Sequence, residues 1–146
     1  MTSEHDFPLP DPAFEPLQPF WHGAAHGELR LPRCRACGAF DWYPSGSCEA
    51  CGGTDIGWQA LSGDGHLFSW AVVRRPLHPP LAGLGTYISA IVALAEDPQT
   101  RLVTRLVDCE PDGLNIDMPV HAVFRDLGYP DLETGVTAPL FATEKG

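Results

Sequence analysis

Apolar residues in this chain fall in short runs. The first is FEPLQPFWHGAAHGE, residues 14–28, where Leu17, Phe20, Trp21, Ala24 and Ala25 recur at spacings of three and four. That period places them on one helical stripe. Pro19 suits the first turn and Gly27 the end, so a short N-terminal helix is predicted over 14–28. After it the runs are strand-like. Leu29–Arg33, Phe40–Tyr43 and Ile56–Leu61 come first, then the turn Ser62-Gly63-Asp64-Gly65. His66–Arg74, Thr86–Ala95, Arg101–Val107, Val120–Arg125 and Pro139–Ala142 follow, with turn material at 96–99 and 110–113. Several of these runs are apolar on both alternating faces, as strands of a closed barrel with one side also covered would be. About five such strands after a turn-rich start predict an OB-fold barrel.

Composition supports a mainly β chain. Gly and Pro number 15 each among 146 residues, which disfavours long helices. Nine Lys and Arg stand against 19 Asp and Glu, a net charge of −10. That weighs against nucleic acid as a partner, because displacing its counterions needs a positive field. No apolar run reaches the ~18 residues of a membrane span. The start, MTSEHDFPLPDP, has neither a basic nor an apolar leader region, so the expected location is cytoplasmic. Residues 1–13, rich in proline and acid, read as a flexible arm.

The cysteines carry the sharpest chemistry. Cys34-Arg-Ala-Cys37 and Cys48-Glu-Ala-Cys51 are separated by ten residues, and each pair is followed by glycine. Two intervening residues let both sulfurs of a tight knuckle face one ion, and the glycine lets the chain turn beneath it. Two knuckles supply four thiolates, a tetrahedral set that suits zinc and also the single iron of a rubredoxin. Zinc is the favoured ion. Four protein ligands leave no open position, so the metal is structural and folds a segment too small for its own core. Arg30, Arg33 and Arg35 flank the first knuckle, either to offset its negative charge or to bind phosphate. Cys109 stands apart and reads as an inert thiol. His22 and His26 have zincin spacing, but Gly23 stands where the general base would be, so no catalytic metal is expected there.

The segment 74–85, RRPLHPPLAGLG, is apolar and stiffened by proline after two arginines. It suits either folding over the barrel end or lining a ligand or partner surface. The chain has no G-x-S-x-G, P-loop or dinucleotide fingerprint and no catalytic constellation.

In order, the chain carries Pro19-Phe20-Trp21, Gly27-Glu28-Leu29, Arg33-Cys34-x-x-Cys37-Gly38, Tyr43-Pro44, Cys48-x-x-Cys51-Gly52, Trp58, Ser62-Gly63-x-Gly65 and Met118-Pro119-Val120. This series resembles the acyl-CoA-associated zinc-ribbon/OB-fold proteins known as domain of unknown function 35. The resemblance covers about residues 14–142. It implies an N-terminal helix (14–28), a rubredoxin-like zinc ribbon with four cysteine ligands (29–61) and an OB-fold barrel (62–146). It further implies a non-catalytic subunit that docks on a thiolase-fold enzyme, a thiolase, thiolase-like aldolase or acyltransferase, and helps to shape its acyl-CoA site within a hetero-oligomer. Cys34, Cys37, Cys48 and Cys51 match the metal ligands, and Phe20 and Trp21 match the helix motif. His22 departs from the acidic residue often found at its position. Arg33, Arg35, Arg74 and Arg75 are then candidates for the phosphates of CoA, and Trp70 for its pantetheine or acyl part. Phe20, Trp21, Leu77 and Leu81 are candidate partner contacts. Two other readings stand beside it, a single-strand-binding OB module and a rubredoxin-like electron carrier.

Overall fold

The computed structural model describes residues 10–75, 85–127 and 135–143. Leu77 and Leu81 lie outside these residues, as does most of the proline-rich segment.

The N-terminal apolar stripe forms a single 3-10 turn, Glu15–Leu17, and then α1, Gln18–Ala25. The helix is shorter than the 14–28 expected from periodicity. Its chain turns at Gly27, whose φ of 76° favours a residue without a side chain, and the Gly27 N–H bonds the Ala24 carbonyl. Seven strands follow. β1 (Leu29–Cys34) pairs antiparallel with β2 (Ile56–Leu61). Then come β3 (Asp64–Val73), β4 (Tyr87–Leu94), β5 (Arg101–Val107), β6 (Pro119–Asp126) and β7 (Thr137–Thr143). These five close a barrel in the order β3-β4-β5-β7-β6, with β6 returning to β3. All pairings are antiparallel except β5 with β7. The chain is thus a mainly β protein with a short helix, a four-cysteine ribbon and an OB-fold barrel.

Phe40–Tyr43 does not form the expected strand. Only one bridge, Arg33 with Phe40, is made there. The Asp41 N–H still reaches the Pro32 carbonyl at 2.9 Å, but the pairing goes no further before Pro44, which has no N–H to offer. Instead Asp41, only 5% exposed, accepts hydrogen bonds from the Ser45 N–H and hydroxyl and turns the chain toward the second knuckle.

The three parts share one core. Phe20 of α1 and Leu29 and Leu31 of β1 are buried in the same apolar cluster as Leu67, Val92, Leu94, Leu106 and Phe141 of the barrel. The ribbon is therefore anchored by its entry strand as well as by the metal site expected in it.

The β5–β7 seam of the barrel is short. Only Leu106–Phe141 and Val107–Ala142 pair across β5 and β7. Toward the start of β5 the strands part, and the Thr104 hydroxyl bridges to the Pro139 carbonyl at 3.0 Å. An apolar cavity of about 320 Å³ opens there, lined among others by Phe20, Trp21, Trp42 and Val103.

Candidate functional site: a four-thiolate centre and a barrel-end cleft

Both knuckles repeat one backbone design. In the first, the Gly38 N–H donates to the Cys34 carbonyl at 2.9 Å and the Cys34 N–H to the Ala39 carbonyl at 2.8 Å. In the second, the Gly52 N–H donates to the Cys48 carbonyl and the Cys48 N–H to the Gly53 carbonyl, both at 2.7 Å. Gly38 and Gly52 have φ of 82° and 76°, a region that a side chain disfavours. These turns bring together the two cysteine pairs, which are distant in sequence.

The four Sγ atoms lie within 4.8 Å of one another, with Cys34–Cys51 at 3.6 Å and Cys37–Cys48 at 3.5 Å. Zinc–sulfur bonds of about 2.3 Å in a tetrahedron set sulfur–sulfur edges of roughly 3.8 Å. The two sulfur–sulfur contacts are close to that edge, and the donor set fits a structural zinc. Cys34 and Cys48 are buried and Cys37 and Cys51 exposed. The amide of Cys37 is the main cause holding the Cys34 thiol down at about 7. At Cys37 the Ala39 amide pulls downward, but the hydrogen-bonded Cys48 and Cys51 sulfurs and burial push the thiol up to about 12. A metal-free cluster thus keeps protons that a zinc ion must displace.

The flanking arginines are engaged locally. The Arg33 Nε donates to the Gly38 carbonyl and its Nη1 to the Gln59 side chain, both at 2.7 Å. Arg35 pairs with Asp55 at 3.1 Å, two exposed side chains. Both brace the ribbon, one beneath the first knuckle and one across to the exit loop. Trp70 is half-buried against the barrel core. Phe20 is 6% exposed and packs inward, whereas Trp21 reaches the apolar cavity.

Arg74 and Arg75 lie elsewhere, at the end of β3, both exposed. Arg74 lines a cleft of about 730 Å³ together with Arg105 of β5 and Arg125 of β6. Among the described residues, Arg74 and Arg75 make no ion pair. Arg105 and Arg125 were not singled out from the sequence. Their only signal was a charged residue in an otherwise apolar run, and such positions usually face solvent.

Comparison with known proteins agrees with this architecture. Residues 21–57 match the family described as the rubredoxin-like zinc ribbon domain of ChsH2, and residues 58–125 match its C-terminal OB-fold domain. A Thermomonospora curvata protein named probable enoyl-CoA hydratase alpha subunit is 35% identical over 133 residues, 90% of this chain and 39% of the relative. A DUF35 domain-containing scaffold protein of Methanocaldococcus jannaschii is 34% identical over 95 residues, 64% of each chain. This chain therefore spans less than two thirds of the length of either relative. Among solved structures, a chain of the Ltp2-ChsH2(DUF35) aldolase is 30% identical with a TM-score of 0.76, covering 91% of this chain and 98% of that one. A DUF35-family protein of Sulfolobus solfataricus, 10% identical with a TM-score of 0.56, covers 87% and 84% and shares the fold.

Proposed function

Since this chain belongs to the ChsH2-type DUF35 family of zinc-ribbon/OB-fold proteins, we propose that it is a non-catalytic accessory subunit. In this reading it docks on a thiolase-fold enzyme and completes that enzyme's acyl-CoA site. The observation that carries the proposal is the likeness over nearly the whole length of a chain from an aldolase assembly. The site chemistry supports it. Four thiolates close the coordination sphere of a zinc ion, so the metal holds shape and offers no position to a substrate. The ribbon and α1 share one apolar core with the barrel, so a partner would meet them as a single packed unit.

A second reading concerns the partner. The likeness to a probable enoyl-CoA hydratase alpha subunit favours a hydratase in place of the thiolase-fold enzyme.

The test is co-expression with each class of enzyme encoded beside this chain, followed by size-exclusion chromatography and assay with and without it. The proposal expects a stable complex with a thiolase-fold protein whose acyl-CoA activity falls when this chain is left out. A complex with a hydratase alone would select the second reading. No complex with either would overturn both.

A further inference from the structure

His22 and His26 stand four residues apart at the end of α1, and both are exposed. Residues at that spacing share one face of a helix. Their ring centroids lie 4.6 Å apart, with the planes tilted by 45°. Gly23 stands where a zincin would carry its general base, so the pair can hold an ion but not run a hydrolysis.

One ring is already prepared as a ligand. The His26 Nδ1 lies 2.8 Å from the His22 carbonyl oxygen. A carbonyl only accepts, so this nitrogen carries the proton, and the neutral ring keeps its lone pair on Nε2. Metal-bound histidines almost always have this arrangement, with the second ring nitrogen donating to a carbonyl, carboxylate or water. The His22 ring makes no hydrogen bond among the described residues, so either of its nitrogens is free to meet the same ion.

The ring spacing selects the ion. A metal–nitrogen bond of about 2.0–2.1 Å puts the imidazole centroid about 3.2 Å from the metal. Two such rings at a right angle have centroids about 4.5 Å apart, and at the tetrahedral angle about 5.2 Å. The observed 4.6 Å is therefore that of a cis pair. With imidazole donors, tetragonal geometry is the preference of copper(II) and nickel(II). The surroundings also favour a cation. The pair sits at the carbonyl end of α1, where partial negative charge gathers, on a chain of net charge −10. His22 borders an open cleft of about 610 Å³, which leaves room for water in the remaining coordination positions.

We infer that His22 and His26 form a chelating surface site for a tetragonal divalent ion of the nickel–copper class, separate from the four-thiolate centre. The thiolates close a tetrahedron, whereas the histidine pair supplies two ligands and leaves the other positions to water.

The test is titration of the full zinc-loaded chain with nickel(II), followed by calorimetry and by proton NMR of the histidine rings. Nickel is the probe because copper(II) would oxidise the thiolates. One equivalent should bind with zinc retained, and its unpaired electrons should broaden the His22 and His26 rings before those of His66 and His121 on the barrel. H22A and H26A should each weaken binding at least tenfold, with H121A unchanged. Both replaced side chains are exposed, and melting temperature and zinc content check the fold of each variant. No nickel binding, affinity unmoved by H22A and H26A, or broadening first at His66 and His121 would overturn the inference. Exchange of the ribbon zinc for nickel would place the binding on the cysteines and overturn it too. A further equivalent of zinc held by the pair as tightly as nickel would overturn the tetragonal class.

Discussion

The ring of Phe20 in α1 lies 5.1 Å from the ring of Trp42 in the ribbon, tilted by 37°. Trp21 meets Phe20 edge-on at 4.9 Å, and Tyr43 stacks on Trp42 at 4.6 Å. Four aromatic rings therefore run from the helix into the loop between the two cysteine knuckles. This chain of contacts joins helix to ribbon at the mouth of the open barrel seam. The Trp42 indole N–H is buried there without a hydrogen-bond partner, a desolvation cost that the packing of the rings has to outweigh.

Phe20→Ala should destabilise the chain by about 3–5 kcal/mol, the cost of emptying a buried aromatic site. Combined with Trp42→Ala in a double-mutant cycle, the two should couple by about 0.5–1.5 kcal/mol. Denaturant unfolding of the zinc-loaded protein measures both. Strictly additive losses would show that the rings pack independently and that the helix is held by the barrel alone.

Gly65 and Gly57 both have a neighbour where a side chain would go, yet they should respond differently to alanine. At Gly65, in β3, an added Cβ would come within 2.6 Å of the Ala93 carbonyl oxygen and 2.7 Å of a Val92 methyl. The first is backbone of the paired strand and cannot yield without bending the barrel, so Gly65→Ala should cost about 1–3 kcal/mol. At Gly57 the near atoms, at 2.6–2.9 Å, belong to the guanidinium of Arg35, an exposed group able to swing away. Gly57→Ala should therefore be the milder change. Equal denaturation midpoints for the two variants would contradict this account.

Much of the architecture was legible because it is written in local signals. Cys-x-x-Cys-Gly dictates a knuckle by itself, and all five barrel strands appear as apolar runs broken by Gly, Pro and acid. The misses depend on partners distant in the chain. Phe40–Tyr43 has strand composition but lacks a neighbour beyond Arg33, because Asp41 and Pro44 redirect it. For Phe20, the helical stripe leaves open whether it packs on its own domain or on a partner. Only the packing of β1 and the ribbon against α1 buries it. The arginine cleft is the clearest case: Arg74, Arg105 and Arg125 meet through barrel closure, which no window of sequence shows. The resemblance of the motif series supplied what local pattern could not, the expectation of an enzyme partner.

Cys109 borders the arginine cleft, and its reactivity should report on it. Burial, followed by the neighbouring charges of Asp108 and Glu110, pushes its thiol above the ordinary value of 9.0. Because the thiolate is the attacking species, alkylation should be slow at neutral pH, with the midpoint of its rise above pH 9. Asp108→Asn removes one of the opposing charges and should move that rise to lower pH. Peptide-resolved mass spectrometry after timed iodoacetamide exposure distinguishes Cys109 from the knuckle cysteines. A midpoint below pH 9, or one unmoved by Asp108→Asn, would show that the thiol is more open to solvent than its surroundings imply.

Removal of zinc should unfold the ribbon, and acid should remove it. In the metal-free chain the folded Cys34 thiol lies at about 7, below the ordinary 9.0. A depressed acid stabilises the fold above its unfolded value and loses that contribution as pH falls through the folded one, here between pH 9 and 7. Zinc requires all four thiolates, so binding near pH 7 should release protons, from Cys37 and Cys51 above all, and affinity should fall steeply on acidification. Chelation, or Cys48→Ser, should lower the denaturation midpoint and expose Trp42 and Trp58, both of which pack against the shared core. Tryptophan emission, proton release in buffers of different ionisation enthalpy, and one equivalent of zinc by elemental analysis together check this. A metal-free protein with the same midpoint and emission as the loaded one would show that β1 and the barrel core hold the ribbon unaided.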